Sequence, residues 1–201
     1  MGTGAFKLTS YNDGEKIELE SFADYFEGAP KIQKLIIRAI AEDQSRLAAL
    51  ETGEIDLATG IAPIDSQTVE ANDKLAIISE PTTATEYITL NVEKAPFNNK
   101  DFRLALNYAI DKQSIIDSIF LGKAKIAKSI VNPSVFGYYE GLEGFAFNPE
   151  KAKELVEKSG VKNTSFSLYV NDNPVRLHVA KIIQANLNEF GIDMKIETLE
   201  W

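Results

Sequence analysis

Arg176 is the residue of this sequence best placed for recognition chemistry. It follows the polar run VNDNP, Val170 to Pro174, which reads as a loop between a strand and a helix start. In α/β proteins such loops carry ligand-contacting groups, and a guanidinium there can grip a carboxylate through two parallel hydrogen bonds. A solvated arginine in a first helical turn is the plain alternative. The single histidine, His178, lies at the border of the apolar face of the same helix, where the pattern favours a partly buried packing role over catalysis. The aromatic run FGYYEGLEGF, Phe136 to Phe145, either lines a groove or packs a long loop.

Enzyme motifs are scarce. There is no phosphate-binding glycine loop, no pair of histidines at metal-ligand spacing and no nucleophile elbow. The GTG at Gly2 to Gly4 lacks the rest of a dinucleotide fingerprint and reads as a tight turn into a strand. With 30 acidic residues some carboxylate pair for glycoside chemistry is always available, so that signal is non-specific. No catalytic residue, metal site or cofactor is expected from these residues.

Composition narrows the classes further. The chain has 201 residues, 44% hydrophobic and 25% charged, which suits one large or two small globular domains. A net charge of -9 with no basic patch argues against nucleic acid. Absence of cysteine removes disulfides, thiol nucleophiles and cysteine-ligated zinc. No apolar run reaches membrane-spanning length, and the opening MGTGAFKLTS has neither the charged start nor the apolar stretch of a signal peptide.

The elements that must position Arg176 can be read from periodicity. Phe6 and Leu8, then Ile17 and Leu19, alternate as two strands of a hairpin about Asn12 to Gly14. Lys31 to Ile40 reads as a strand covered on both faces. Asp43 is the expected cap of a short helix that Gly53 ends, and Ile55 to Ala58 return as a strand. A weak helix follows Asp65, and Leu75 to Ser79 and Glu86 to Val92 read as strands. Past Pro96 the pattern turns helical. Phe102, Ala105, Leu106, Ala109 and Ile110 share one face; Asp111 caps KQSIIDSIF; Asn148 and Pro149 open EKAKELVEKSG. Phe166, Leu168 and Val170 alternate as a strand before a helix whose Val175, Val179, Ile182, Ile183, Leu187 and Phe190 share a face, and IDMKIETLEW is the last strand-like run. The change of pattern predicts two cores, with residues 1–88 strand-rich and 89–201 helix-rich. Opening almost on a strand and ending inside another, the chain reads as a fragment cut at both ends. Edges deprived of partners would then invite pairing with a second copy, a possible homodimer.

Several ordered motifs together resemble the extracellular solute-binding proteins of ABC importers for peptides, dipeptides and nickel. GTGAFKL resembles that family's GTG-P-Y-hydrophobic opening, with Ala5 and Phe6 in place of proline and tyrosine. QSRLAALETGEIDLA resembles its helix and strand, LNVEKAPFNNKDFRLALNYAIDKQSII its most recognisable run, and FNPEKAKELVEKSG its lobe-spanning helix. NPVRLHVAKIIQANLNEFGIDMKIETLEW resembles its final paired helix and strand. The resemblance covers essentially the whole chain.

The resemblance implies an α/β fold, part of the two-lobed class II (cluster C) periplasmic-binding-protein architecture, with mixed sheets flanked by helices. It implies 1–88 as part of lobe I, and 89–201 as the hinge strand and part of lobe II, with the run from Tyr87 to Val92 resembling a hinge connection. Cleft contacts map by resemblance onto Thr59 and Gly60, onto Thr83, Thr85 and Tyr87, onto Asn132 and Ser134, and onto Asn171, Asn173 and Arg176. The implied function is capture of short peptides and delivery to a membrane permease. A nickel chelate, another small solute or a signalling peptide remain open as ligand, since fold does not fix function; an acid-pair hydrolase is the competing class. The aspartate that receives a peptide's α-ammonium in such proteins maps beyond Trp201, so these residues alone are expected to bind peptide weakly. An extracellular or periplasmic location, with a lipid anchor on the full-length protein, is implied in the same way.

Overall fold

The computed structural model describes residues 2–200. A type of turn signalled by Asn12 to Gly14 reverses the chain: the Glu15 amide donates to the Asn12 carbonyl at 3.1 Å, and Gly14 takes the left-handed φ of 70° that a side chain would resist. The flanking strands β1 (Phe6–Asn12) and β2 (Lys16–Ser21) pair antiparallel, with Leu8 opposite Leu19 and Tyr11 opposite Ile17. Strand β3 (Lys34–Arg38) joins β2 antiparallel, setting Leu35 against Leu19 and Ile37 against Ile17. The expectation that β3 is covered on both faces is corrected: Ile36 and Ile37 are 48% and 49% exposed. An apolar run signals what a strand can bury, and the other elements decide what it does bury.

Helix α1 (Asp43–Glu51) begins one residue earlier than the expected cap implies. Glu42 occupies the cap position, and Asp43 is instead the first helical residue, paired with Arg46 at 2.6 Å. No strand forms at Ile55 to Ala58; the chain there turns back on the helix, the Ile55 amide donating to the Ala49 carbonyl at 3.2 Å. Close packing groups Met1–Ile61 as one compact unit and Ala62–Trp201 as another.

The second unit starts with a short 3-10 turn (Pro63–Asp65) and helix α2 (Ser66–Glu70), which Lys123 holds through Ser66 Oγ at 2.6 Å and Glu70 Oε1 at 3.0 Å. Its core lies between α3 (Lys100–Ala109), α5 (Pro149–Ser159) and α6 (Pro174–Asn188), with α4 (Lys112–Ile119) packed on α6. Phe102, Ala105, Leu106 and Ala109 are buried as their spacing predicts. Ile110 ends α3 in an extended conformation yet packs on the same cluster. Each fully buried Leu or Phe contributes about 1.5–3 kcal/mol, so Phe102, Leu187, Ile192 and Met194, all under 2% exposed, anchor this unit.

Local capping explains where these helices start. Asn99, Asp111, Asn148 and Asn173 each accept a hydrogen bond from the backbone N–H three residues on. Strands β4 (Phe166–Val170) and β5 (Met194–Thr198) flank α6 and pair in parallel, Leu168 opposite Ile196, making a β-α-β unit. Along α6, Ile183 and Leu187 are buried and Val179, Ile182 and Phe190 are half-buried against the core.

The expected strands at Leu75 to Ser79 and Glu86 to Val92 do not form. Among the described residues no backbone-to-backbone hydrogen bond involves the stretch 76–90. Alternation marks faces that can be buried, whereas a ladder also needs a neighbouring strand about 4.8 Å away. Leu90 from this stretch packs on the Phe102 cluster.

Candidate functional site

The ladder-free stretch is tethered at three points, and two of them are polar. The Thr82 carbonyl accepts from Asn132 Nδ2 at 3.2 Å, Glu86 Oε1 accepts from Arg176 Nη2 at 3.0 Å, and Leu90 is held by packing. Three residues lie between the first two tethers, a span of at most about 14 Å for extended chain. Segments 82–87, 132–134 and 171–176 are thereby brought to one side of the second unit.

Asn132 reaches Thr82 because its other carboxamide atom is engaged locally. Its Oδ1 accepts from the Ser134 amide at 3.0 Å and from Ser134 Oγ at 2.8 Å, an Asx turn over Pro133. Asn173 is also committed: its Oδ1 accepts from the Arg176 amide at 3.1 Å and caps α6. Asn171 is different. Its Oδ1 is buried and has no hydrogen-bond partner among the described residues. An unpaired buried acceptor costs about 1–3 kcal/mol, so such an atom calls for a donor.

Arg176 stands in the first turn of α6, where its charge adds to the positive end of the helix dipole. Its contact with Glu86 is single-pronged, and the two side chains are 45% and 67% exposed. Exposed pairs of this kind contribute about 0–1 kcal/mol. His178, expected to be partly buried, is exposed, because the inward face of the first turns of α6 is taken by Val179 and Ala180. Thr83 and Ser134 are exposed, Thr85 is half-buried, and Tyr87 is 64% exposed.

Thr59 and Gly60 belong to the first unit and serve there as backbone acceptors. Arg46 Nε donates to the Thr59 carbonyl and Nη2 to the Gly60 carbonyl, both at 3.0 Å, while Nη1 reaches the Ile40 carbonyl at 2.8 Å. Gly60 has φ 70°, a left-handed conformation that a side chain would resist. Arg46 and Glu86 are the residues sequence reasoning missed. For Arg46 the signal is Asp43 three residues before it on the same helix; for Glu86 there is none, since its partner is 90 residues away.

The aromatic run resolves into two behaviours. Phe145 packs edge-on against Tyr108 with centroids 5.4 Å apart, and its carbonyl accepts from Lys112 Nζ at 3.1 Å. Burial pushes the Lys112 ammonium below the usual lysine range, with Asp111 acting in the opposite sense. Phe136, by contrast, is fully exposed and Tyr139 is 68% exposed. An open groove of about 370 Å³ between α5 and the end of α6, edged by Glu150, Lys153, Glu157 and Glu189, touches none of the expected site residues. Among the described residues no group of three or more His, Cys, Asp or Glu side chains is placed to hold a metal ion, and no helix is long and apolar enough to cross a membrane. The chemistry on offer is hydrogen bonding and charge pairing.

Across its whole length, residues 1–201, the chain matches the family model described as bacterial extracellular solute-binding proteins, family 5 Middle. The chain belongs to this family. Among curated relatives of this family 5 chain, a heme-binding protein A of Haemophilus influenzae is 30% identical, covering 100% of this chain and 38% of its own. The structure of DppA from Helicobacter pylori, an ABC transporter-associated periplasmic binding protein in complex with the peptide STSA, superposes with a TM-score of 0.83 at 33% identity, covering 100% of this chain and 39% of that one. NikA from Staphylococcus aureus in complex with Ni(L-His)2 gives 0.80 at 28% identity, covering 98% and 43%. The chain thus spans about two fifths of the length of the proteins it matches. Its mixed α/β architecture is that of a part of a class II periplasmic binding protein. Membership places it among solute-binding proteins rather than enzymes, in a family of extracellular proteins.

Proposed function

We propose that this family 5 protein captures short peptides in a cleft between two lobes and delivers them to an ABC permease. The observation that carries the reading is the convergence on segment 82–87: backbone free of ladder bonds, bounded by Asn132 and Arg176, with the unpaired acceptor of Asn171 on the connection leading to Arg176. A peptide supplies what these groups lack, namely N–H donors, carbonyl acceptors and a terminal carboxylate. The peptide complex of the Helicobacter pylori relative supports the same class of ligand. In this reading closure of the full-length protein's lobes sequesters the ligand, and that protein is held at the membrane surface by a lipid anchor.

Titration calorimetry of the protein with trialanine, with nickel in excess histidine and with heme tests the choice. Micromolar or tighter binding of trialanine alone is expected of the full-length protein, and much weaker binding of residues 1–201 by themselves. Binding of nickel-histidine or heme with no response to peptide would overturn it.

A further inference from the structure

We infer that Glu86 is an affinity-setting residue, an internal carboxylate that holds Arg176 and competes for it with a carboxylate carried by the ligand. This rests on the peptide-capture reading and goes beyond it by naming the ligand group and its competitor. Four observations carry it. The Glu86–Arg176 contact uses one oxygen and one nitrogen, Oε1 and Nη2 at 3.0 Å, so the guanidinium fork is only half used. Both side chains are substantially exposed, at 67% and 45%, so solvent and ligands reach the pair. Arg176 is fixed at its base, since its own amide donates to the Asn173 cap at 3.1 Å, while the positive end of α6 adds to the attraction for an anion. Glu86, in contrast, lies on a stretch with no backbone ladder and can swing away without breaking secondary structure.

The exchange is a competition between carboxylates. A free carboxylate that takes two guanidinium N–H groups forms a stronger, directional pair than the monodentate contact it replaces. A neutral ligand end offers no such exchange and leaves Glu86 in place. Glu86 therefore sets the threshold that a ligand's terminal carboxylate must exceed to reach Arg176, and leaves ligands with a neutral end unaffected.

The test uses trialanine and its C-terminal amide, measured by calorimetry on wild type, Glu86→Gln and Arg176→Gln. In Glu86→Gln, loss of the internal competitor tightens binding of the free acid by about two- to fivefold, the range expected for an exposed pair, and leaves the amide unchanged. In Arg176→Gln the acid loses its advantage over the amide. A Glu86→Gln variant that binds the acid no better than wild type, or gains equally for acid and amide, overturns the inference. Should neither peptide bind to any variant, the peptide reading fails, and the Arg176 Nε–H nuclear resonance decides this one separately. Sodium acetate should shift that resonance further in Glu86→Gln than in wild type; equal shifts overturn it.

Discussion

Asn99 donates from Nδ2 to the Ser159 carbonyl at 2.9 Å, joining the start of α3 to the end of α5 across 60 residues of sequence. The same side chain accepts from the Phe102 amide at 3.1 Å, so one carboxamide caps one helix and satisfies the last turn of another. This double use fixes how the two helices meet around Phe102.

Replacing Asn99 with Ala should therefore cost about 1–3 kcal/mol, combining a lost cap with an acceptor left unpaired. Asn99→Asp keeps the acceptor for Phe102 but not the donor to Ser159, and should fall between. Urea unfolding of the three proteins checks the order. An Asn99→Ala variant as stable as wild type would contradict the joint role.

Arg46 organises the first unit in a similar way, its guanidinium donating to the carbonyls of Ile40, Thr59 and Gly60 and to Asp43 Oδ1. Arg46→Met keeps the length and removes every donor, with an expected loss of about 2–3 kcal/mol. Urea unfolding of the variant checks this loss. Stability equal to wild type would show that the turn stands without the guanidinium.

Glu18 accepts from Lys16 at 2.7 Å and pairs with Lys34 at 2.8 Å on the face of the three-stranded sheet. Hydrogen bonding to the two ammonium groups, with their charge, lowers its pKa from 4.5 to about 2. Because the folded value lies below the unfolded one, the contribution to stability is present above about pH 4.5 and is lost as pH falls toward 2. Carboxyl titration by nuclear resonance should find Glu18 still ionised at pH 3, and Lys16→Met with Lys34→Met should return it toward 4.5. Titration of the wild-type residue in the ordinary glutamate range would contradict the pairing.

What could be read from the sequence is what is decided locally. The caps Asp111 and Asn148, the proline at the start of α5 and the Phe102 face of α3 each depend on residues within a turn or two, and each appears where the pattern puts it. The burial of β3 and the ladders expected at Leu75 to Ser79 and Glu86 to Val92 depend on distant partners, which alternation cannot report. The candidate site divides in the same way. Its segments are an expectation from resemblance to the family, and the use of each residue is not read from it. Asn132, Ser134 and Asn173 turn out to be engaged in turns and caps, and the unpaired oxygen of Asn171 and the bridge from Arg176 to Glu86 are properties of three-dimensional packing.

The central claim, that peptide is captured at segments 82–87, 132–134 and 171–176, is tested most directly by mapping backbone amide shifts as trialanine is added to isotopically labelled protein. The account predicts saturable changes concentrated in those three segments, with a response at Asn171 and Arg176. Changes confined to the groove of Glu150, Lys153, Glu157 and Glu189, or none at saturating peptide, would contradict it.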